Sequence, residues 1–530
     1  MIRRLAVVLV ATALVAVGLG AAAATARVAT VHKVVTIRIR DNLFTPSALD
    51  VAAGTTVRWV NVGHNTHNVT PNTGKGYGSG NLRPGKSYVH TFADTGSFAY
   101  YCKLHGTPTS GQRGSLAVGD ATSATPIAPV GGGTEPAPAF AASGRTIRVP
   151  ADATTIQAAV DRAKKGDLVL VSPGVYKESV TVATDGIVIR GANRNSTILD
   201  GEFRRGNGVF VVGADGVAVE NMTARNYTEN GFFWNGVLGY RGSYLTAYRN
   251  GDYGIYAYDS QYGQFDHSYA SGSPDSGFYI GQCNPCHAVI TDVVSQYNLL
   301  CYSGSNSSGD LSIVNSEWSH NRTGIVPNSF EGEELSPQGM ATLAGNVVSD
   351  NGDPGATRGN EEAYDPAFGV GIVIAGGEED VITKNRVVDN VKVGIALAPS
   401  IGLEDTPHQP KGNRVTDNVV ERSGMLDLGV VLSDAADANC FSGNTFSTSA
   451  PANIEQVMPC DATGTGDFTT GAVDIQQFLD TSKNAKGVGY KQSPVPKAQR
   501  NLPRAASAKA RPAGAPPALD LAAVQVPSSS

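Results

Sequence analysis

The sequence predicts an all-β protein in two parts, a small β-sandwich followed by a long solenoid of short strands. Three observations carry that prediction. Glycine is abundant (62 of 530 residues), charged residues make up only 17%, and Tyr is the commonest aromatic, the profile of a turn-rich β chain. Short alternating apolar runs separated by turn formers fill residues 33–118. Farther on, apolar triplets recur every 23 or 24 residues, a period that marks stacked repeats.

The chain opens on a basic "MIRR", an apolar run and "ATA" at 24–26, so residues 1–26 read as a cleaved export signal, with a retained anchor as the alternative. No cysteine follows that run to take a lipid. No later run is apolar enough to cross a bilayer, so no stable membrane span is expected once the signal is cleaved. Residues 33–119 form the sandwich. Its strands are "VVTIRI", "TTVRWVNV", "SYVHTF", "GSFAYYC" and "GSLAV", broken by "AAGT", "RPGK" and "ADTGS". Residues 120–144, rich in Pro, Gly and Ala, read as a flexible linker.

The solenoid spans 145–460. An amphipathic helix at about 154–165 precedes its first strands. Apolar triplets then follow Gly231, Gly254 and Gly277, with comparable positions at Leu300 and Gly324, in steps of 23, 23, 23 and 24. A further step of 23 links Gly371 to Gly394. Each unit carries strands and Asn/Gly/Asp turns, so it reads as one coil whose stacking buries ladders of Ile, Val, Phe and Tyr. Three loops, "NSFEGEELSPQG", "NGDPGATRGNEEAYDPAFG" and "LEDTPHQPKGN", are expected to project from one side, where function concentrates. Residues 461–491 form a cap region with a short helix in "VDIQQFLDTSK", and 492–530 have the composition of a disordered tail.

The net charge of −6 gives no support for nucleic-acid binding or a polybasic membrane contact. Six cysteines in an exported chain should be paired or hold metal. Cys440 and Cys460 flank one stretch and could bridge. Cys283 and Cys286 form "CNPC", a local disulfide, with a redox pair as the alternative that lacks a βαβ context. Cys301, in apolar "NLLCYSG", reads as a buried free thiol. Cys102 then needs another explanation.

Four side chains in the first block suit a soft metal. His67 lies in "HNTHNVT" after a strand, Cys102 and His105 form a C-x-x-H turn at a strand end, and Gln112 follows in "GQRG". Two imidazoles, one thiolate and a weak axial donor describe a blue-copper site. A zinc site would want a fourth strong ligand, for which His64 and His90 are the nearby candidates; an incidental buried thiol is the third reading. Through "TVRWVNVGHNTHNVT" and "GSFAYYCKLHGTPTSGQRGSLAV" this block of about 85 residues resembles the cupredoxins, especially the plastocyanin and amicyanin-like group. The resemblance implies a Greek-key sandwich binding one type-1-like copper ion through His67, Cys102 and His105. It places Gln112 where the family usually has Met. Some cupredoxins carry Gln there, which favours Cu(II) and a lower potential.

The third block resembles right-handed parallel β-helix proteins of the pectin-lyase-like superfamily, most closely in "TIQAAVDRAKKGDLVLVSPGVYKESVTV". The resemblance implies a right-handed single-stranded parallel β-helix, and many relatives act on polysaccharides. Such chemistry needs paired carboxylates, or a base beside a neutralised uronate. Glu331, Glu333 and Glu334, then Glu361, Glu362 and Asp365, then Glu378, Glu379 and Asp380 are candidates. Asp266, His267 and Asp275 accompany Tyr256, Tyr258, Tyr262 and Tyr269, which could stack on sugar rings. Of these, Glu333, Glu361, Asp365, Tyr256 and Tyr258 are the expected carbohydrate-facing residues. Solvated turns and flank-covering tyrosines are the competing reading. Asn385 and Asn418 read as ladder or turn residues.

The leading expectation is therefore a secreted copper-binding module, of electron-transfer type, on a solenoid that binds carbohydrate or another surface polymer. A redox partner protein and a polysaccharide are the partners it implies. Two alternatives stand: a polysaccharide lyase or hydrolase with an accessory copper domain, and a protein for copper delivery outside the cytoplasm or of purely structural surface role. The copper-delivery alternative rests on a likeness to nitrous-oxide-reductase-maturation-type β-helix proteins.

Overall fold

The computed structural model describes residues 34–528, apart from 64, 74–75, 120–122, 125–127, 360–366, 401–406, 432–437 and 465–470. The export signal lies outside the described residues. Among them, no helix is long and apolar enough to cross a membrane.

The first domain is a sandwich of two four-stranded sheets. Its strands are β1 (Val34–Arg40), β2 (Leu43–Thr45), β3 (Ala48–Val51), β4 (Thr55–Asn61), β5 (Thr70–Pro71), β6 (Ser87–Phe92), β7 (Gly96–Gly106) and β8 (Gly111–Val118). One sheet has the order β2-β1-β4-β6 and the other β3-β8-β7-β5. Period-two alternation decides which face is core: Thr55, Val57, Trp59 and Asn61 of β4 are buried, while the residues between them are not. Trp59 is wholly buried, edge-on to Tyr100 at 5.5 Å and stacked with Tyr88 at 5.6 Å. A side chain of this size contributes roughly 3 kcal/mol or more by leaving water.

The rest is a parallel β-helix of three sheets with 12, 10 and 11 strands. Helix α1 (Ile156–Arg162) covers its N-terminal end. Thr155 caps it, accepting from Ala158 N, and Ile156, Ala159 and Val160 turn toward the core. One coil runs Leu238–Ser243, Thr246–Tyr248, Ile255–Tyr258, and the next begins at Gln261. The interior row Val209, Phe232, Ile255, Phe278, Tyr302, Ile325, Ile372, Ile395 and Leu428 is in register across nine coils.

The glycine recurrence has a steric cause. A Cβ on Gly231 would lie 2.7 Å from Gly254 O, one on Gly254 2.6 Å from Gly277 O, and one on Gly371 2.7 Å from Gly394 O. The coils approach too closely there for any side chain. The phase of the repeat differs from the sequence reading at one unit. Phe278 pairs with Tyr302, so Cys301 and not Leu300 is the counterpart of Gly277.

Polar corners are joined by asparagine ladders. Asn346, Asn385, Asn418 and Asn444 form one, each amide oxygen accepting from the preceding residue's backbone N–H and side-chain NH₂. Asn298, Asn321, Asn351 and Asn390 form another. Cys283–Cys286 and Cys440–Cys460 close as disulfides, while Cys102 and Cys301 are free and buried.

Two segments differ from their compositional expectation. In the linker, Gly131 N donates to Asp259 Oδ1 at 2.7 Å, and Phe140 lies over the glycines at 186 and 216. In the tail, Arg190 donates to the carbonyls of Ala505, Ala508 and Lys509, Arg194 to that of Arg500, and Arg241 to that of Arg511. Both segments are held along the β-helix through their backbones. Composition, which reports side chains, does not reveal that.

Candidate metal centre

Two strand ends and one loop of the sandwich assemble the centre. His67 enters just after β4, from a loop tied back by a pair of backbone hydrogen bonds to Leu82 at 3.0 and 2.7 Å. Cys102 and His105 lie near the end of β7, where its pairing with β8 is irregular between Tyr101 and Gly106. Gln112 opens β8.

The ligand atoms of His67, Cys102 and His105 all lie within 4.8 Å of one another, and this is the one such cluster among the described residues. Cys102 Sγ is 3.8 Å from His67 Nδ1 and 3.5 Å from His105 Nδ1. Gln112 Oε1 lies 2.9 Å from His67 Nδ1. The four residues are 0 to 3% exposed. His64 lies outside the described residues. His90, on β6, packs against Tyr77 and Phe92, so it is no fourth ligand.

The neighbours fix each donor. Gln112 Nε2 donates to Arg40 O and Leu43 O, both at 2.9 Å, which turns its oxygen inward. Asn68 N approaches Cys102 Sγ at 3.4 Å, and Asn68 Oδ1 accepts from Lys103 N at 2.9 Å. His67 Nε2 meets Asp41 Oδ1 at 3.1 Å. Burial alone would lower the His67 pKa, but Asp41 and Cys102 outweigh it and lift it to about 10. Burial likewise opposes ionisation of Cys102, yet the two histidines bring its thiol well below the ordinary value. A thiolate and two imidazoles turned toward one point, with an amide oxygen beside them, fit a copper ion.

The centre faces the β-helix. Asn235 Nδ2 donates to His105 O at 3.0 Å, and Ser110 Oγ to Gly236 O at 3.3 Å. Asn42 Nδ2 donates to Tyr256 Oη at 2.8 Å, and Asn65 Nδ2 to Asp252 Oδ2 at 2.8 Å. Arg40 lies over the Phe330 ring at 5.0 Å.

That contact corrects the expected carbohydrate face. Tyr256 and Tyr258 are only 3% and 5% exposed, beneath the first domain, and are closed to a polymer. Glu333 accepts from Gln282 Nε2 at 2.8 Å beside Arg40 and Asp41, and loss of solvation pushes its carboxyl up to about 8. The loop carrying it serves the domain contact. Glu361 and Asp365 lie outside the described residues. Asp41, Asn68 and Asn235 were not singled out in the sequence. The Asn beside His67 was the one local signal, whereas Asn235 is 130 residues from its partner.

Residues 9–118 match the family described as Cupredoxin-like domain, and residues 288–466 that described as Right handed beta helix region. Among solved structures, the mannuronan C-5 epimerase AlgE4 A-module of Azotobacter vinelandii is similar at 18% identity and TM-score 0.42, over 55% of this chain and 90% of its own. A purple cupredoxin of Nitrosopumilus maritimus is similar at 28% identity and TM-score 0.14, over 16% of this chain and 97% of its own. A copper-containing nitrite reductase of Thermus scotoductus SA-01 shows 26% identity and TM-score 0.14, over 16% of this chain and 22% of its own.

Proposed function

From a chain that joins a cupredoxin-like domain to a right-handed β-helix region, we propose an exported copper protein of electron-transfer type. His67, Cys102 and His105 would hold the ion, with Gln112 Oε1 as a further, weaker donor beside them. The observation that supports this most is the convergence of a thiolate and two imidazoles within 4.8 Å, in a pocket closed to solvent. Bound copper would supply a one-electron couple. The protein's part is to hold the donors still: Asp41 orients His67 through Nε2, leaving Nδ1 for the metal. The hydrogen bond from Asn68 N withdraws charge from the sulfur. The two carbonyls that anchor Gln112 keep its oxygen directed at the same point. Burial of all four favours electron exchange over handing the ion to another protein.

The β-helix, on this reading, binds a surface polymer by a face other than the one the first domain covers. A groove of about 780 Å³ supports that, between the corner residues Tyr244, His267 and Asp292 and the tail residues Arg500 and Asp520. Binding of uronate and neutral glycans to the purified protein tests it, and absence of both would leave the β-helix a scaffold.

The copper reading is tested by the visible spectrum of the full chain with Cu(II), beside Cys102→Ser. An intense thiolate-to-copper band in the first and none in the second is expected. A folded but colourless protein overturns it.

A further inference from the structure

The outer face of the β-helix beneath the copper centre carries a continuous row of aromatic rings. Phe210 and Phe233 stack at 4.9 Å, Phe233 and Tyr256 at 4.4 Å, and Tyr256 and Tyr253 at 4.2 Å. Tyr279 meets Tyr256 edge-on at 4.8 Å. Parallel strand pairing places Phe210, Phe233, Tyr256 and Tyr279 opposite one another on successive coils. All four are buried, whereas Tyr253 is part-exposed at the edge of the row. The first domain meets the row at Tyr256, where Asn42, next in the chain to Asp41, donates to its Oη. Asp41 in turn meets His67 Nε2.

We propose that this contact is the electron exit of the copper centre, running from His67 through Asp41 and Asn42 to Tyr256 and emerging at Tyr253. The inference rests on the copper reading above. The ligand edges are nearly closed to solvent, His67 wholly buried and His105 3% exposed. An electron must therefore cross protein, and the hydrogen-bonded step onto Tyr256 joins the centre to conjugated rings in van der Waals contact. Bound copper would supply one electron, and an external one-electron acceptor would take it. No bond breaks and no proton moves, because burial keeps the Tyr256 phenol protonated. The ring is a bridge and not a stopping point. The surface around Tyr253 is then where a soluble redox partner would dock.

The test uses the full, copper-loaded chain, reduced and mixed rapidly with hexacyanoferrate(III). Reoxidation is followed at the thiolate-to-copper band. Tyr253→Leu, at the part-exposed edge of the row, is expected to slow reoxidation about tenfold, as is Tyr256→Leu. Band position and midpoint potential should stay as in the parent, a pattern that a merely structural effect would not give. Tyr297→Leu, an aromatic change away from the row, should leave the rate unaltered. Equal rates in Tyr253→Leu and the parent would overturn the route while leaving the copper reading intact. Absence of the band in the parent would remove both. Should Tyr256→Leu fail to fold, Tyr253→Leu alone decides.

Discussion

Asn235 of the β-helix donates from Nδ2 to the carbonyl oxygen of His105 at 3.0 Å, so a residue of one domain holds the chain that carries a metal-site histidine of the other. Asn235 is 1% exposed and lies on the strand Phe232–Asn235, one coil before Tyr258. Asn235→Ala leaves the His105 carbonyl buried and unpaired, at a cost of about 1–3 kcal/mol. The loss should fall on the domain contact. We expect Cys102 in the metal-free protein to react faster with a thiol reagent, and the first domain to melt earlier than the β-helix. An unchanged thiol reaction rate would show that the contact is held elsewhere.

Gln112→Met tests the axial position. Methionine has no NH₂ to give Arg40 O and Leu43 O, so two carbonyls lose a donor and stability falls by about 1–3 kcal/mol for each left unpaired. It also replaces an amide oxygen by a soft thioether, which favours Cu(I). The expected outcome is a higher midpoint potential with the thiolate band retained, read by spectroelectrochemical titration. A lower potential would mean that Gln112 Oε1 does not donate to the ion.

The two halves of the molecule were legible in the sequence to different depths. The β-helix was visible through its glycines because close coil stacking excludes a Cβ at Gly231 and Gly254, a local demand that recurs. The metal centre was visible because its donors are rare residue types at strand ends. The place of Tyr256 was not visible. An outward tyrosine on a β-helix strand reads the same whether sugar, solvent or another domain covers it. Only the fold shows that Asn42, 214 residues away, does so. Register was also illegible at Cys301, since one extra residue before it leaves the hydrophobic pattern intact.

Asp380 predicts a pH dependence outside the metal centre. It is wholly buried, with Oδ1 accepting from Gln338 Nε2 and Ala341 N. Burial pushes its carboxyl up to about 7, and those hydrogen bonds only partly offset it. The folded state therefore keeps a proton that the unfolded chain has already released. The resulting stability is fully present below the ordinary carboxylate value and is lost as pH rises through about 7. Asp380→Asn keeps the acceptor and removes the charge. Urea unfolding should find parent and variant alike near pH 4 and the variant more stable near pH 8, by about 1 kcal/mol or more. Equal midpoints at the higher pH would place the proton elsewhere.

The C-terminal tail gives the last prediction. Arg190, Arg194 and Arg241 are 2 to 5% exposed, and tail carbonyls accept from all three. Ala513 closes over Leu168, Val188 and Ala218. A guanidinium in an apolar setting without acceptors is costly, and Glu220 can serve Arg190 and Arg241 only in part. Removing residues 492–530 strips several charge-assisted hydrogen bonds, each worth about 1.5–3 kcal/mol, and uncovers an apolar strip along the outside of the sheet. The shortened protein should melt at lower temperature or aggregate, with the loss centred on the coils from Leu168 to Arg241. Limited proteolysis of the intact chain supplies the complementary measurement. A tail that only trails in solvent would be cut at once at its Arg and Lys residues, whereas a tail bound through its carbonyls should resist as long as the β-helix does.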